Sequence, residues 1–471
     1  MSILVDDIKV QASDSLICGR AYGSPYVFDP RGHGGAIVLT EDANQVLSLS
    51  TDGPKVSEIK RSLQWSRKTP GRLMDILAAL ASHGLVRFDK EFADKSVIRK
   101  NLQTQRRMVV WLQMTDTCNL SCSYCYIHQK STHMDARKAK EVIARISQQC
   151  HRERYDSVVI KFAGGEPTIR WKVIKELIDW AETCREEVPC ETRFALLTNG
   201  TRMPADLIDY AVDKKLRTTI SLDGVQKWHD KHRFYKNGLG SFRDIDENIN
   251  ILLRRGVRPG ISATITTVNV KGLTELAEYC VDRDLHFRFS PYRRPFSSPA
   301  DLRSENEELI YELQRCYGWL ENHLPNRSLH ELHRFGDIDF RVPKVRICGI
   351  AVNSVAVTSD GKACLCQFDM DNPVGDMMKD DALRILRNQR RFVAEDNRAE
   401  LIPQCQQCKW RFTCAGGCPL ITKDQYGVFS HPSPYCEVYQ AVLPVLLRLH
   451  AVQLIRNGRV RNSSTNQEVF V

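Results

Sequence analysis

Between Arg107 and Pro291 the chain alternates, six times over, a short apolar run with a longer stretch of polar and amphipathic residues. The runs are Val109–Met114, Ser157–Phe162, Arg193–Leu197, Thr218–Leu222, Gly260–Thr266 and His286–Phe289. Helical spacing fills the intervals, for example Met134–Gln149, Trp171–Cys184, Ser241–Arg255 and Val270–Asp282. Repeated strand–helix units predict an α/β fold, a parallel sheet with helices outside it, whose ligand-binding groups gather in the loops after the strands. The first of those loops reads Cys118-Asn-Leu-Ser-Cys122-Ser-Tyr-Cys125.

Three thiols so close together can wrap three corners of a cubane [4Fe–4S] cluster and leave the fourth iron open. Metal sites with an open position are catalytic, whereas closed ones are structural or carry electrons. A zinc knuckle or a ferredoxin-type site is the plainer alternative. The first usually brings a second close pair, the second a fourth nearby Cys. With Tyr124 inside it and Tyr126 after it, the motif resembles the signature of the radical S-adenosylmethionine (SAM) superfamily. That resemblance implies a partial (β/α)6 TIM-like barrel. It also implies that the open iron chelates SAM and that one electron from the cluster yields a 5′-deoxyadenosyl radical, which abstracts hydrogen from a C–H bond.

Later strand ends fit the same family. Gly164-Gly165-Glu166-Pro167 follows the second strand; its glycines permit close backbone approach, Glu166 offers a carboxylate to an ammonium, and Pro167 stiffens the turn. The resemblance implies contact with the SAM amino group here. Asn199 ends the third strand and Ser221-Leu-Asp-Gly224 the fourth. In relatives, a Ser at this point and a downstream Arg hold the SAM carboxylate and ribose; they match Ser221 and Arg233. A surface ion pair is the alternative role for Arg233.

From Cys348 onward cysteines become dense: Cys348, Cys364, Cys366, then Cys405, Cys408, Cys414 and Cys418, and finally Cys436. The pattern is similar to that of the SPASM domain, which carries auxiliary [4Fe–4S] clusters; a zinc ribbon is the alternative. The resemblance implies an inner cluster on Cys348, Cys366 and Cys418, and an outer one on Cys405, Cys408, Cys414 and Cys436. No thiol lies in Phe340–Arg346, so the inner cluster either recruits Cys364 or keeps an open iron. Sulfatase-maturing relatives carry an Asp as base directly after the second of these cysteines. Here that position is Gln367, which disfavours their reaction. The other cysteines (Cys18, Cys150, Cys184, Cys190, Cys280, Cys316) read as structural.

Ahead of the first strand, Gly35–Ser50 reads as a hairpin, Val56–Trp65 and Pro70–Leu80 as helices, and Gly84–Phe88 as a short strand. The order resembles the winged-helix-like domain that grips precursor peptides by strand addition. The implied divisions are 1–95 for that domain, 96–300 for the barrel, 301–340 for a bridging helical segment, 341–440 for SPASM and 441–471 for a closing helix and tail, with a kink at Pro444.

A net charge of +10 suits an acidic leader peptide, and no aromatic-and-basic motif points to nucleic acid; the pairs Arg106-Arg107 and Arg390-Arg391 are too short for that. No apolar run approaches the roughly 18 residues of a membrane helix. The N-terminus lacks signal-peptide character, so a cytoplasmic location is expected, where seventeen cysteines argue for metal rather than disulfides.

These readings converge on a radical SAM/SPASM peptide maturase that crosslinks a leader-bearing precursor, as a carbon–carbon cyclophane or a thioether. Its cofactors would be SAM, one catalytic [4Fe–4S] cluster and two auxiliary ones, with a reductant such as flavodoxin or ferredoxin. A small-molecule dehydrogenase or epimerase, and a non-enzymatic iron–sulfur electron carrier, are the other readings.

Overall fold

The computed structural model describes residues 6–32, 35–63, 70–88, 106–293, 301–325, 332–390, 393 and 397–462. The six expected strands are present as β6 (Arg107–Gln113), β7 (Ser157–Ala163), β8 (Thr192–Thr198), β9 (Arg217–Ser221), β10 (Gly260–Ile265) and β11 (Phe287–Pro291), all in parallel register. On β7, Val158, Ile160 and Phe162 are fully buried, while Val159, Lys161 and Ala163 alternate with them on the opposite face. One face therefore packs under the helices and the other lines the barrel lumen.

The sheet continues beyond the expected barrel at both edges. β12 (His333–Phe335) pairs parallel with β11, so the segment read as a bridge returns to the barrel after its helix Asn306–His323. At the other edge β13 (Ser354–Val357) pairs parallel with β6, and β14 (Lys362–Cys364) and β15 (Gly375–Asp376) add antiparallel. Barrel and cysteine-rich region thus share one ten-stranded sheet among the described residues. Three-residue strands with little alternation left β12 and β14 invisible to periodicity.

The N-terminal region differs from expectation. Gly35–Ser50 is not a hairpin: Glu41–Leu49 is an α-helix (α1). The Thr40 hydroxyl accepts from the Ala43 amide at 3.1 Å, Glu41 and Asp42 occupy the first turn, and Ala43, Val46 and Leu47 form the buried stripe. The cap outweighs the strand-like alternation of Val46–Leu49. Helices α2 (Val56–Ser62) and α3 (Pro70–Ser82) follow as expected; Gln64 and Trp65, read as the end of α2, lie outside the described residues. β1 (Val10–Ala12) pairs antiparallel with β5 (Val86–Phe88), and β2 (Ile17–Ala21), β3 (Ser24–Phe28) and β4 (Ile37–Val38) form a small meander. Val10, Val46, Ile59, Leu77 and Leu80 belong to a hydrophobic core separate from that of the barrel.

The closing helix runs without a break from Cys436 to Asn462 with Pro444 inside it; residues 463–471 lie outside the described residues. Contrary to the expectation from runs, Cys436–Asn457 is long and apolar enough to cross a membrane by length and composition. Scattered polar residues such as Gln440 and His450 hide this from a search for unbroken runs. In the fold the helix packs on Asn306–His323 and on β2 and β4, with Val438, Val442, Leu443 and Leu447 fully buried.

Leu77→Ala should destabilise the N-terminal unit by about 2–5 kcal/mol, the usual cost of a buried Leu truncation. Limited proteolysis should then cut within residues 6–88 while the 106–457 body stays resistant and keeps its iron.

Candidate active site

The Cys118–Cys125 loop follows β6 and is clamped by backbone hydrogen bonds on three sides. The Asp116 amide donates to Thr132 O at 3.0 Å. Ser121 and Ser123 donate to Phe234 O and His232 O at 2.8 and 3.0 Å. Gly165 and Glu166 donate to Thr115 O and Thr117 O at 2.7 and 2.9 Å. The glycines after β7 serve this last clamp. A Cβ on Gly164 (φ +136°) would lie 2.4 Å from Thr115 O, and one on Gly165 would lie 2.3 Å from Thr117 O. Only glycine lets the turn meet the loop backbone this closely.

Glu166 is fully buried, and four donors occupy its carboxylate: the Thr168 amide (3.0 Å), the Thr168 and Thr198 hydroxyls (2.6 and 2.7 Å) and the Asn199 amide (2.8 Å). It ties the end of β7 to the end of β8 instead of offering a free carboxylate to an ammonium. Burial pushes its pKa up against these donors. Pro167 opens the short turn Pro167–Arg170 that presents the Thr168 donors. Asn199 is aimed at the thiol loop: its Nδ2 lies 3.8 Å from Cys118 Sγ and donates to Asn119 at 2.9 Å.

A buried ion pair supports the other side of the loop. Arg233 Nε donates to Asp223 Oδ2 at 2.7 Å; the Arg233 side chain is 12% exposed and Asp223 is not exposed at all. The surface-pair alternative therefore does not describe it. Arg233 Nη1 also lies 3.9 Å from Cys122 Sγ, and the guanidinium stands 5.3 Å from the Tyr124 ring centroid. The Tyr124 hydroxyl donates to the same Asp223 oxygen, and the Thr264 amide donates to Oδ1 at 2.9 Å. Burial alone would raise Asp223, but Arg233 and these donors override it and hold its pKa below the ordinary value. Burial holds His229 low, at about 3, so it is neutral: Nδ1 accepts from the Asp223 amide at 3.2 Å and Nε2 bonds the Ser241 hydroxyl at 3.0 Å. Ser221 ends β9, in register with Ser262. Asp223 escaped sequence reading because it sits inside a tetrapeptide that reads as a turn.

The three thiols are neighbours, with Cys118 buried, Cys122 half-buried and Cys125 at the exposed edge of the loop. Burial pushes Cys122 up to about 12, with repulsion from Cys125 and Cys118 adding to it, and raises Cys118 and Cys125. Thiols that resist ionisation unaided suit a site completed by iron, which takes thiolates and supplies the positive charge. Among the described residues no three Cys, His, Asp or Glu side chains close around a single metal ion; a cubane spreads its thiolates over separate irons.

The remaining cysteines fall into two sets. Cys405, Cys408, Cys414 and Cys436 are mutual neighbours, and burial pushes Cys405 and Cys414 up to about 12. Cys348, Cys366 and Cys418 form the second set, where burial and the Cys418 sulfur raise Cys348. Cys364 is turned elsewhere: its thiol is buried and donates to Met370 O at 3.5 Å. Tyr126 packs on Phe368 with ring centroids 4.8 Å apart, joining the thiol loop to the second set. Of the six cysteines read as structural, Cys150, Cys190, Cys280 and Cys316 are buried, Cys184 is half-buried and Cys18 is exposed. A depression of about 750 Å³ has no cysteine in its lining, which includes Gln226, Lys231 and Glu275.

Residues 112–279 match the radical SAM superfamily and residues 348–409 match SPASM, an iron-sulfur cluster-binding domain. The chain therefore carries a radical SAM domain and a SPASM domain, and these domains imply SAM and [4Fe–4S] clusters as cofactors. An uncharacterized protein of Methanocaldococcus jannaschii, MJ0907, is 29% identical over 36% of this chain, which spans 57% of that relative's length. A cysteine-type anaerobic sulfatase-maturating enzyme of Clostridium novyi is 22% identical over 69% of this chain and 91% of its own. Among solved structures, native anSMEcpe with bound AdoMet and Cp18Cys peptide superposes with a TM-score of 0.61 at 17% identity, over 74% of this chain and 99% of that one. Streptococcus suis SuiB bound to precursor peptide SuiA gives 0.54 at 14% identity, over 91% of this chain and 100% of that one. Both likenesses bear out the fold.

Gly165→Ala should cost the three-cysteine cluster while sparing the others, read as a loss of about one cluster's iron per chain. Asn199→Leu should leave iron unchanged but move that cluster's potential negative by roughly 20–60 mV, the one-electron equivalent of one lost hydrogen bond to sulfur.

Proposed function

We propose that this enzyme modifies a precursor peptide, installing a crosslink between side chains. The observation that carries the reading is the reach of the structural likeness. The match to SuiB, a protein seen with its precursor peptide, spans 91% of this chain, whereas the match to anSMEcpe spans 74%. The larger span is long enough to take in a unit the size of residues 6–88. That unit has its own core, and among the described residues β1 and β5 form a ladder with no third strand. The outer side of β1 is taken, since the Val10 and Ala12 amides donate to Pro54 O and Ser50 O at 2.8 and 2.7 Å, so an extended leader peptide would add as a strand along β5.

Cys118, Cys122 and Cys125 would hold the catalytic cluster, which when bound and reduced supplies the electron that cleaves SAM. Ser221 and the backbone of Gly164 and Gly165 would face SAM. Glu166, Asn199, Arg233 and Tyr124 are committed to protein partners and act by fixing the loop and its sulfurs; Pro167 shapes the turn. Cys348, Cys366 and Cys418 would hold the inner auxiliary cluster, and Cys405, Cys408, Cys414 and Cys436 the outer one. With Cys364 bonded to Met370 O, the inner set has three thiols and leaves one iron for another ligand. The crosslink removes one hydrogen atom to the adenosyl group, then a proton and an electron from the substrate radical. The auxiliary clusters, when bound, would supply the acceptor for that electron. Gln367 at the position of the sulfatase-maturing base favours this over formylglycine chemistry.

Co-expression with a short peptide encoded beside the gene should give a product lighter by two hydrogens, read by mass spectrometry, with one 5′-deoxyadenosine per crosslink. Removing residues 1–88 should abolish the mass change and leave slow SAM cleavage. A truncated enzyme that modifies the peptide at the full rate would contradict the leader-binding role. Cys364→Ala should keep full iron content, whereas Cys348→Ala should lose about one cluster.

A further inference from the structure

Four cations, Lys161, Arg288, Arg293 and Lys344, act on the carboxylate of Asp337. Lys161 on β7 sits opposite Trp111 on β6, its ammonium 4.3 Å from the ring centroid. Its electrostatic neighbours include Arg288 on β11 and Asp337 after β12. Three strands separate β7 from β11 in the sheet, so these interactions run across the lumen. Asp337 is already shared: Arg288 reaches one oxygen at 2.7 Å and Arg293 the other at 3.3 Å, while Lys344 Nζ donates to its backbone carbonyl at 2.5 Å. Among the described residues Lys161 has no carboxylate partner, and Arg288 Nε is buried without an acceptor. Burial, with Arg288 adding to it, holds Lys161 down to about 8. A half-buried cation with no carboxylate partner is costly, and an incoming anion removes that cost.

The place of this charge is also informative. Lys161 lies two residues before the end of β7, where the Gly164-Gly165 turn begins, and Trp111 lies two residues before the end of β6, which leads into the thiol loop. The cationic bed therefore lies under the mouth where SAM and substrate would meet. We infer that Lys161, with Arg288, forms a subsite for a carboxylate of the substrate, placed on a residue close to the one modified. The inference rests on the peptide reading, since an unmodified peptide carries carboxylates as its anions. An Asp or Glu side chain and a chain terminus share this chemistry.

The test uses reconstituted holoenzyme with saturating SAM and three probes, N-acetylglutamate α-amide, N-acetylglutamine α-amide and N-acetylalanine, measured by calorimetry. The glutamate probe should bind at least tenfold more tightly than the glutamine probe, as a charge-assisted hydrogen bond provides. That advantage should vanish in Lys161→Met and survive in Lys161→Arg, which also shows that loss of charge and not misfolding is responsible. Preferred binding of N-acetylalanine would assign the subsite to a chain terminus. Equal binding of the glutamate and glutamine probes, or an unchanged advantage in Lys161→Met, overturns the inference. So does an equal loss of SAM affinity in Lys161→Met, which would give the carboxylate to SAM. None of the probes is a precursor peptide, so failure of the crosslinking assay leaves this result standing, and a crosslinked peptide does not rescue a negative one.

Discussion

Everything at the mouth of the barrel depends on two glycines pressed against a neighbouring loop. Gly164 and Gly165 bring the end of β7 so close to Thr115–Thr117 that a methyl group on either would overlap a carbonyl oxygen. Through this contact the second strand end holds the residues immediately before Cys118. The opposite wall is set by pairing of Ser121 and Ser123 with the 232–234 backbone. A thiol loop fixed by main-chain bonds on three sides presents its sulfurs with little freedom left to lose when a cluster binds, which is what preorganisation of a metal site requires.

Behind the loop lies a layer of polar groups that touch sulfur or hold what touches it. Asn199 reaches Cys118 and Arg233 reaches Cys122; Glu166 fixes the first and Asp223 the second. Each buried carboxylate is saturated by donors, so the layer is rigid and its cost of burial is offset. Hydrogen bonds to cluster sulfurs and nearby charge are among the levers that set iron–sulfur potentials. The layer that shapes the loop is therefore also placed to tune it.

The barrel was legible because its strands are long, apolar on alternate positions and separated by helices of ordinary length. The thiol loop and the cysteine-rich C-terminal region were legible because cysteine spacing survives without any knowledge of contacts. Three kinds of feature were not. The Thr40 cap turned an apparent strand into α1, a local side-chain bond that apolar periodicity does not register. β12 and β13 owe their places to pairing with distant strands, and nothing in three or four residues announces such a partner. Sequence offers Glu166 and Arg233 as contacts to a ligand and does not show their protein partners. In the fold both are bound by protein groups far away in sequence, Thr198 and Asn199 for the first and Asp223 for the second.

The central claim is that Cys118, Cys122 and Cys125 leave one iron open for SAM. Electron–nuclear double resonance of the reduced, anaerobic protein with SAM labelled by nitrogen-15 at its amino group tests this directly. The account predicts a nitrogen-15 coupling of the size expected for direct ligation, appearing only while those three cysteines are intact. A reduced-cluster spectrum unchanged by SAM, with no nitrogen-15 coupling, would contradict it.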